Sequence, residues 1–385
     1  MTSCTLSHKV LEDAREVNTR PPPYPLGVTP KERAIPEPEI EALVESYVDD
    51  LPEADAELAR EIVITALKLA REQVSRLDRK IVNTALKEMR HAFRVFAPYK
   101  GIRKVTIFGS ARTQKGDPAY TVTRDFSREI ARREWMVITG AGPGIMEAGH
   151  EGAGDKLSFG VNIRLPFEAK PNPVIANDSK LINFKYFFTR KLTFMKEADA
   201  FVLVPGGFGT MDEAFELLTL VQTGKSDLQP IVLLDPPGGT YWREFDAFIR
   251  REMVTRRYVD EDDLKLYRIV DDVQDAVNEI ESFYRVYHSQ RMIGSKLVLR
   301  LDVMPDEETL ARLSDEYSDI LGKPIVPTQA TAAEKRDNDV PDMPRIALAF
   351  DRQHIGRLRQ LIDRLNEIGP EPATAISDKG APEEL

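Results

Sequence analysis

Two glycine-rich turns hold the residues of this chain whose types and spacing are best suited to chemistry. One spans residues 205–213 and the other residues 140–147, and each joins a short apolar run to a helical pattern. Glycine lets the backbone approach a ligand closely, and the amides at the start of a helix attract anions. The alternative is that the glycines only permit tight turns. Two such turns at one sheet edge, with Ser110 at a third, favour phosphate binding by Gly140, Gly142, Gly144, Gly206, Gly207, Gly209 and Thr210.

Carboxylates follow the glycines closely. Asp212 and Glu213 fall in the first turn of the helix that begins in the 205–213 segment, and Glu147 has the same place in the other. An acidic residue there can simply complement the helix dipole, which is worth about 0.3–1 kcal/mol. It can also stabilise the oxocarbenium-like sugar that forms when an N-glycosidic bond breaks, or activate water. Both interpretations stay open on the residues alone.

A cationic pair, Arg190 and Lys191, precedes the apolar run at residues 201–204. Arginine can clamp a phosphate through two hydrogen bonds or polarise a leaving base. The simpler interpretation is a pair of solvated basic side chains, and the residue types do not exclude it.

Two common nucleotide signatures fit the chain poorly. Ile145 stands where the dinucleotide fingerprint has its third glycine, and no acidic residue ends the following strand. Residues 224–226 imitate the end of a P-loop, but Thr219 replaces the first glycine and the segment follows a helix. Nicotinamide chemistry and ATP hydrolysis are therefore disfavoured.

Composition narrows the remaining classes of function. The net charge of −10 argues against a dedicated nucleic-acid binder. No apolar stretch reaches the roughly 20 residues of a membrane helix. The five histidines are too dispersed to share a metal ion, and the one cysteine, Cys4, allows no internal disulfide. We expect a cytoplasmic protein that has neither a zinc site nor a cysteine nucleophile.

The elements that must position these residues follow an α/β pattern. From residue 104, short apolar runs alternate with glycine turns and helices, which predicts a Rossmann-like, doubly wound parallel sheet over residues 100–290. A proline-rich arm (1–36) and a helical region (37–99) precede it. Residues 291–385 predict a small α/β extension with strands at 297–301 and 346–350, helices at 306–321 and 355–368, a linker at 328–344 and an acidic tail.

An apolar stripe runs through the helical region with alternating spacings of four and three. It predicts one long helix that serves as a cap or as a dimerisation element. Its members are Val63, Leu67, Ala70, Val74, Leu77, Ile81, Ala85, Met89 and Ala92.

Residues 205–213, PGGFGTMDE, resemble the PGGxGTxxE signature of the LOG family of nucleoside-monophosphate phosphoribohydrolases. The spacing from Arg190 and Lys191 to this signature is similar to the family's, and so are the segments 108–110, 139–147 and 162–166. The resemblance covers about residues 100–290 and is closest to the longer bacterial branch.

The resemblance implies hydrolysis of AMP, or of an N6-modified AMP such as a cytokinin ribotide, to free base and ribose 5-phosphate, without metal or organic cofactor. Glu213 and Arg190 are the implied catalytic pair, Ser110 and the glycine turns hold the phosphate, and Glu147 approaches the base or sugar. Lys191 and Asp212 complete the implied nucleotide site. Family members assemble their sites at a dimer interface, so we expect a homodimer or a larger dimer-based oligomer.

Two alternatives remain beside this hypothesis. One is a broad purine and pyrimidine nucleotide 5′-monophosphate nucleosidase whose extra segments place it under effector control. The other is a non-catalytic nucleotide or cofactor carrier that uses the same cradle. The label lysine decarboxylase, often given to this family, is disfavoured because the only His-Lys pair, His8-Lys9, lies in the predicted arm.

Overall fold

The structure, a computed structural model, describes residues 44–48, 51–165 and 170–368. The chain divides into two compact units, Met1–Lys80 and Ile81–Leu385. The predicted arm over residues 1–36 and the predicted tail after residue 369 lie outside the described residues. Among the residues that are described, no helix combines the length and the apolar character needed to cross a lipid bilayer.

The helical region contains α1 (residues 44–48), α2 (Glu53–Arg71) and α3 (Arg76–Phe96), followed by a 3₁₀ turn at Ala97–Tyr99. The prediction of one long helix is wrong, because the helix ends at Arg71 and a separate helix begins at Arg76. At the break, the Asp78 N–H donates to Ser75 Oγ (3.1 Å) and the Ser75 N–H donates to the Asp78 carboxylate (3.0 Å). This reciprocal cap starts a new helix although the apolar spacing continues across it.

Seven parallel strands form the central sheet, in the order β4-β3-β2-β1-β5-β6-β7. This arrangement confirms the predicted doubly wound α/β fold. The two edge strands, β4 and β7, were not predicted, because Asn183 and Arg268 interrupt their apolar residues. The strands are β1 (Lys104–Phe108), β2 (Met136–Thr139), β3 (Ser158–Ile163), β4 (Leu181–Phe184), β5 (Ala200–Leu203), β6 (Ile231–Leu234) and β7 (Tyr267–Val270).

Helices cover both faces of this sheet. Alternate strand residues enter two separate apolar clusters, with Ile107 in one and Phe201 in the other. The first cluster includes side chains of α4 (Pro118–Ala131), α5 (Ile145–Ala153) and α9 (Val273–Phe283). The second includes side chains of α3, α6 (Phe187–Glu197), α7 (Phe208–Gln222) and α8 (Tyr241–Phe248). A π-helical stretch (Ile249–Val254) and a 3₁₀ helix (Glu261–Leu266) follow α8.

The C-terminal extension forms a second, antiparallel sheet in the order β10-β11-β9-β8. Its predicted strands and helices are present, but the predicted linker contains α11, and a further strand, β10, ends at the first residue of that linker. There Glu334 is fully buried and its carboxylate accepts from Arg300 Nη2 at 2.8 Å, which explains how a polar stretch folds. The elements are β8 (Tyr287–Ile293), β9 (Lys296–Leu301), α10 (Glu307–Glu316), β10 (Val326–Thr328), α11 (Ala332–Arg336), β11 (Arg345–Leu348) and α12 (Ile355–Asn366).

Candidate functional site

The three predicted turns meet at the centre of the sheet. The strands β1 and β5 are neighbours there, and the strand order proceeds outwards from them in opposite directions. A crevice for ligands opens at such a switch point, beyond the C-terminal ends of the strands. The Ser110 N–H donates to Pro205 O (3.3 Å), and the Ile145 N–H donates to Ser110 O (3.0 Å). The structure therefore brings Ser110, the 139–144 turn and the 205–210 turn together.

The glycines of the 139–144 turn are closely packed by neighbouring atoms. A Cβ on Gly140 would collide with the Arg190 guanidinium, and one on Gly142 would lie 2.7 Å from Met146 Cε. Gly144 has a positive φ of 69° and lies against the Ser110 carbonyl. These positions need glycine because other parts of the protein occupy the space that a side chain would take.

Arg190 lies on α6 and reaches over this turn. Its Nε donates to Val161 O at 3.0 Å, at the C-terminal part of β3. Its guanidinium carbon lies 5.1 Å from the Phe194 ring centroid, a distance at which cation–π attraction operates. Gly140, Val161 and Phe194 together fix the guanidinium at the C-terminal edge of the sheet.

The glycines of the 205–210 turn differ from one another. A Cβ on Gly206 would collide with Thr210 Oγ1, whereas one on Gly207 or Gly209 would meet no atom within 4 Å. The first N–H groups of a helix have no partner within the helix. Since α7 begins at Phe208, its first amides belong to residues 208–210. The turn thus presents helix amides beside open space, as an anion site requires.

Glu213 lies one helical turn further along α7. It is 6% exposed, and its Oε2 makes no hydrogen bond. Burial raises the pKa of Glu213 to about 7, while the positive charges of Lys191 and Arg190 work in the opposite direction. A carboxyl group with this pKa can accept or release a proton near neutral pH.

The pKa of Glu213 stays high although Lys191 is nearby, because Lys191 has two closer carboxylate partners. Its Nζ is 3.8 Å from Glu213 Oε2, but 2.8 Å from Asp212 Oδ2 and 2.5 Å from Glu216 Oε2. The two shorter contacts satisfy the ammonium group first. Burial opposes the charge of Lys191, and the bonds to Asp212 and Glu216 outweigh it, so that its pKa is raised. The predicted ligands Lys191 and Asp212 therefore contact each other.

Glu147 lies in the first turn of α5, as predicted, and pairs with a residue that the sequence analysis did not select. The Nζ of Lys115 is 3.0 Å from Glu147 Oε1 and also contacts Glu151. Lys115 comes from the loop after β1, so its approach to α5 depends on the fold. This ion pair joins the loop after β1 to the first turn of α5, next to the 139–144 turn.

Tyr241 is a second residue that sequence analysis missed. Its hydroxyl donates to Gly206 O at 2.7 Å. This bond fixes the peptide plane between Gly206 and Gly207, and so the direction of the Gly207 N–H, because the two groups of a trans peptide point in opposite directions. Tyr241 starts α8, in the segment after β6. Polar side chains in the sequence segment after each predicted strand are candidates for this edge of the sheet, and Tyr241 is one of them because it follows β6.

A buried histidine supports the 139–144 turn. His150 Nε2 is 3.0 Å from Thr139 Oγ1, and Asn172 contacts the other ring nitrogen. Burial lowers the pKa of His150 to about 4, so the ring is neutral at physiological pH. Thr139 Oγ1 accepts from the Ala141 N–H at 3.0 Å, which ties this network to the turn. Across the described ranges, no cluster of three or more His, Cys, Asp or Glu side chains is arranged to hold a metal ion.

The sequence comparisons point in one direction. The family described as "Possible lysine decarboxylase" matches residues 142–280. A pyrimidine/purine nucleotide 5′-monophosphate nucleosidase of Escherichia coli (strain K12) is 29% identical over 143 residues, which cover 34% of this chain and 31% of the relative. The cytokinin riboside 5′-monophosphate phosphoribohydrolase of Mycobacterium tuberculosis is 33% identical over 100 residues, 26% of this chain and 50% of the relative.

A third relative is the probable cytokinin riboside 5′-monophosphate phosphoribohydrolase LOG4 of Oryza sativa subsp. japonica. It is 25% identical over 142 residues, which cover 36% of this chain and 60% of the relative. The chain thus spans about a third of the nucleosidase and a half or somewhat more of the phosphoribohydrolases.

Solved structures resemble about half of the chain. The molybdenum cofactor binding protein of Rippkaea orientalis aligns at a TM-score of 0.32 and 18% identity, over 47% of this chain and 95% of its own. The Moco carrier protein of Chlamydomonas reinhardtii aligns at a TM-score of 0.32 and 19% identity, over 47% and 96%. At these TM-scores the likeness carries no functional argument, and the fold rests on the parallel sheet itself.

Proposed function

We propose that this chain, whose central residues are similar to the LOG family, hydrolyses the N-glycosidic bond of a nucleoside 5′-monophosphate. The products are a free base and ribose 5-phosphate. The substrate is AMP or an N6-modified AMP. The observation that carries the proposal is the buried Glu213 carboxyl group, one helical turn beyond a glycine turn that presents helix amides.

The spacing of residues along α7 supports the proposal. Thr210 and Glu213 are three residues apart on α7, which corresponds to about 5 Å along a helix. That is close to the length of a ribose, so a phosphate at the start of α7 brings C1′ near the carboxylate. Ser110 lies next to Pro205, at the start of the 205–210 turn.

The proposed reaction needs only residues of this chain and water. As the bond between C1′ and the base nitrogen breaks, its electron pair leaves with the base, and positive charge develops on the sugar. The ionised Glu213 stabilises that charge and takes a proton from the attacking water, whose oxygen bonds to C1′. The proton then passes to the departing base through solvent. Arg190, seated above Gly140, polarises the departing base.

The description as a lysine decarboxylase fits this site less well. A lysine that forms a Schiff base must be neutral, and enzymes obtain this by lowering its pKa. The lysine at the site, Lys191, has a raised pKa and contacts two carboxylates at 2.8 Å or less. The surroundings of Lys191 therefore favour a permanent charge.

We also propose that a second copy of the chain covers the aromatic surface beside the site. The catalytic helices expose large apolar side chains: Phe187, Phe188 and Leu192 on α6 are 49%, 54% and 45% exposed, and Phe208 and Phe215 on α7 are 97% and 39% exposed. Exposed apolar surface of this kind marks interaction sites. Phe188→Asp with Leu192→Asp should lower the mass measured by light scattering.

With a single cysteine in the sequence, a reducing compartment, the cytosol, suits the protein.

The test is a product assay on the full chain. Purified protein is incubated with AMP and, separately, with N6-isopentenyl AMP, and free base and ribose 5-phosphate are quantified by chromatography. We expect release from at least one substrate, and the ratio of the two kcat/KM values distinguishes an ordinary nucleosidase from a cytokinin-type enzyme. CMP and UMP serve as the probe for a broad nucleosidase.

Absence of release from all four nucleotides would contradict the proposal. If ribose 5-phosphate or AMP still bound under those conditions, the carrier alternative would take its place. If the protein bound neither ribose 5-phosphate nor AMP, the assignment of the phosphate site would also be wrong.

A further inference from the structure

The helix α2 packs one apolar face against α1, and a second face contains large apolar side chains that stay exposed among the described residues. Ala56 and Ala59 contact α1 through Val44 and Val48, and Arg60 pairs with Glu45 at 2.8 Å. Leu58 and Ile62 lie on a different face and are 59% and 56% exposed. Leu69 falls on that same face by the helical period, two turns beyond Ile62. The surface formed by Leu58, Ile62 and Leu69 is called the α2 face below.

A face of this composition favours a partner. Helices in proteins owe most of their stability to packing of an apolar face, and large aliphatic side chains left in water gain nothing from folding. Over the residues that the structure describes, Leu58 and Ile62 stay largely in solvent. The occupant must therefore be apolar along a stripe about three turns long.

Charges beside the stripe indicate what that occupant is. The first turn of α2 contains Glu53 and Asp55, and its last turn contains Lys68 and Arg71. Glu61 and Lys68 both flank the α2 face on the same side, since they are seven residues apart. Neither makes an ion pair with another described residue. An antiparallel copy of the same helix would bring Glu61 opposite Lys68, whereas a parallel copy would place the partner's Glu61 and Lys68 on the other side of the seam, where no charge pair could form.

We propose that α2 pairs with α2 of a second copy of this chain, antiparallel and about a two-fold axis at the level of Ile64. In this register Leu58 of each copy packs on Leu69 of the other, and Glu61 of each pairs with Lys68 of the other, so both charge pairs form at once. Such an isologous contact is self-complementary.

Cross-linking tests the register without reference to activity. In a Cys4→Ser background, the variants Leu58→Cys and Leu69→Cys are produced with different tags, mixed, allowed to exchange subunits and oxidised. We expect a disulfide between the two differently tagged chains, and none when either variant is oxidised alone. A disulfide formed by Leu58→Cys alone indicates a parallel pair and overturns the proposal.

Charge reversal supplies the second measurement. Glu61→Lys or Lys68→Glu places like charges together, and we expect loss of the mixed disulfide and a lower mass by light scattering. The double variant Glu61→Lys with Lys68→Glu restores both pairs and should restore cross-linking and mass. The matched control pair, Glu308→Lys and Lys323→Glu, changes the same charges in the C-terminal extension and should alter neither.

Two outcomes overturn the proposal even when every variant folds, as checked by circular dichroism. One is that Leu58→Asp has the same mass by light scattering as the wild-type protein, since the α2 face then contributes to no assembly. The other is an absence of any mixed disulfide, which would leave residues of the same chain or another protein as the occupant.

Discussion

The two glycine-rich turns at the sheet edge resemble each other in sequence and differ in what surrounds them. In the 139–144 turn, the space beside Gly140, Gly142 and Gly144 is filled by protein atoms. In the 205–210 turn, only Gly206 is packed in this way, and Gly207 and Gly209 face open space. The first turn therefore seats a side chain, Arg190, whereas the second leaves its backbone beside open space.

The comparison separates two reasons for glycine that a sequence motif cannot distinguish. A glycine can be required because another residue of the protein occupies the site of its Cβ, or because a ligand does. Only the second kind marks a binding surface. At this edge Gly140 is of the first kind and Gly207 is a candidate for the second.

The largest effect is expected at the end of the second turn. Glu213→Gln removes the group that takes the proton, and kcat should fall by about 10²–10⁴-fold while ribose 5-phosphate still binds. The control is Glu216→Gln on the same helix, for which we expect a much smaller loss. Full activity of Glu213→Gln would show that the carboxylate has no part in the reaction.

The same substitution should change the pH dependence of stability. The folded-state pKa of Glu213 is raised to about 7 from an ordinary value of 4.5, so its protonated form is the stable one in the fold. That contribution is fully present below pH 4.5 and is lost as the pH rises to 7. At pH 8, Glu213→Gln should therefore unfold at a higher urea concentration than wild type. Its free energy of unfolding should be larger by up to about 3 kcal/mol. Equal stability at pH 8 would contradict the burial of an ionised carboxylate.

A smaller effect is expected at the cation beside this carboxylate. Lys191 is the charge that most opposes the upward shift of the Glu213 pKa. In Lys191→Met, the acidic limb of the plot of kcat/KM against pH should move to higher pH by about one unit. Lys196→Met, on the same helix but paired with Glu197, is the control and should leave the limb in place. A shift to lower pH would reverse the assigned electrostatics.

The smallest effect concerns the support of the second turn. Tyr241→Phe deletes the hydrogen bond to Gly206 O and should raise KM for AMP by about threefold to tenfold, with kcat nearly unchanged, as expected for one hydrogen bond. Tyr258→Phe, at a 71% exposed position, is the control. If kcat fell while KM stayed constant, Tyr241 would act on the reaction and not on the phosphate turn.

The meeting of the glycine turns at one edge of the sheet could be predicted from the sequence, because it depends on the order of strands and turns along the chain. Each glycine turn follows an apolar run, and parallel strands collect such turns at one edge. The start of α3 was also marked locally, since Ser75 and Asp78 form a helix cap, but the apolar spacing continues across this point and suggested a single helix. The proposed domain limits at residues 99 and 290 remain predictions.

The electrostatics of the site could not be predicted in the same way. The burial of Glu213 and the approach of Lys191 join two helices that are separate in the sequence, and Tyr241 reaches Gly206 across 35 residues. Such contacts exist only after the sheet has formed. The roles of Glu147, Ser110 and the other predicted ligands toward a substrate likewise stay predictions.

The most direct test of the contrast between the turns compares Gly140→Ala with Gly207→Ala in one set of measurements. Calorimetry gives the affinity for ribose 5-phosphate, and the product assay gives kcat for AMP. Gly140→Ala should displace Arg190, lowering kcat by about 100-fold with affinity changed little, because small misplacements of catalytic groups are costly. Gly207→Ala should weaken ribose 5-phosphate binding about tenfold. If Gly207→Ala bound ribose 5-phosphate as wild type does, or if Gly140→Ala kept its kcat, the proposed division between the two turns would be wrong.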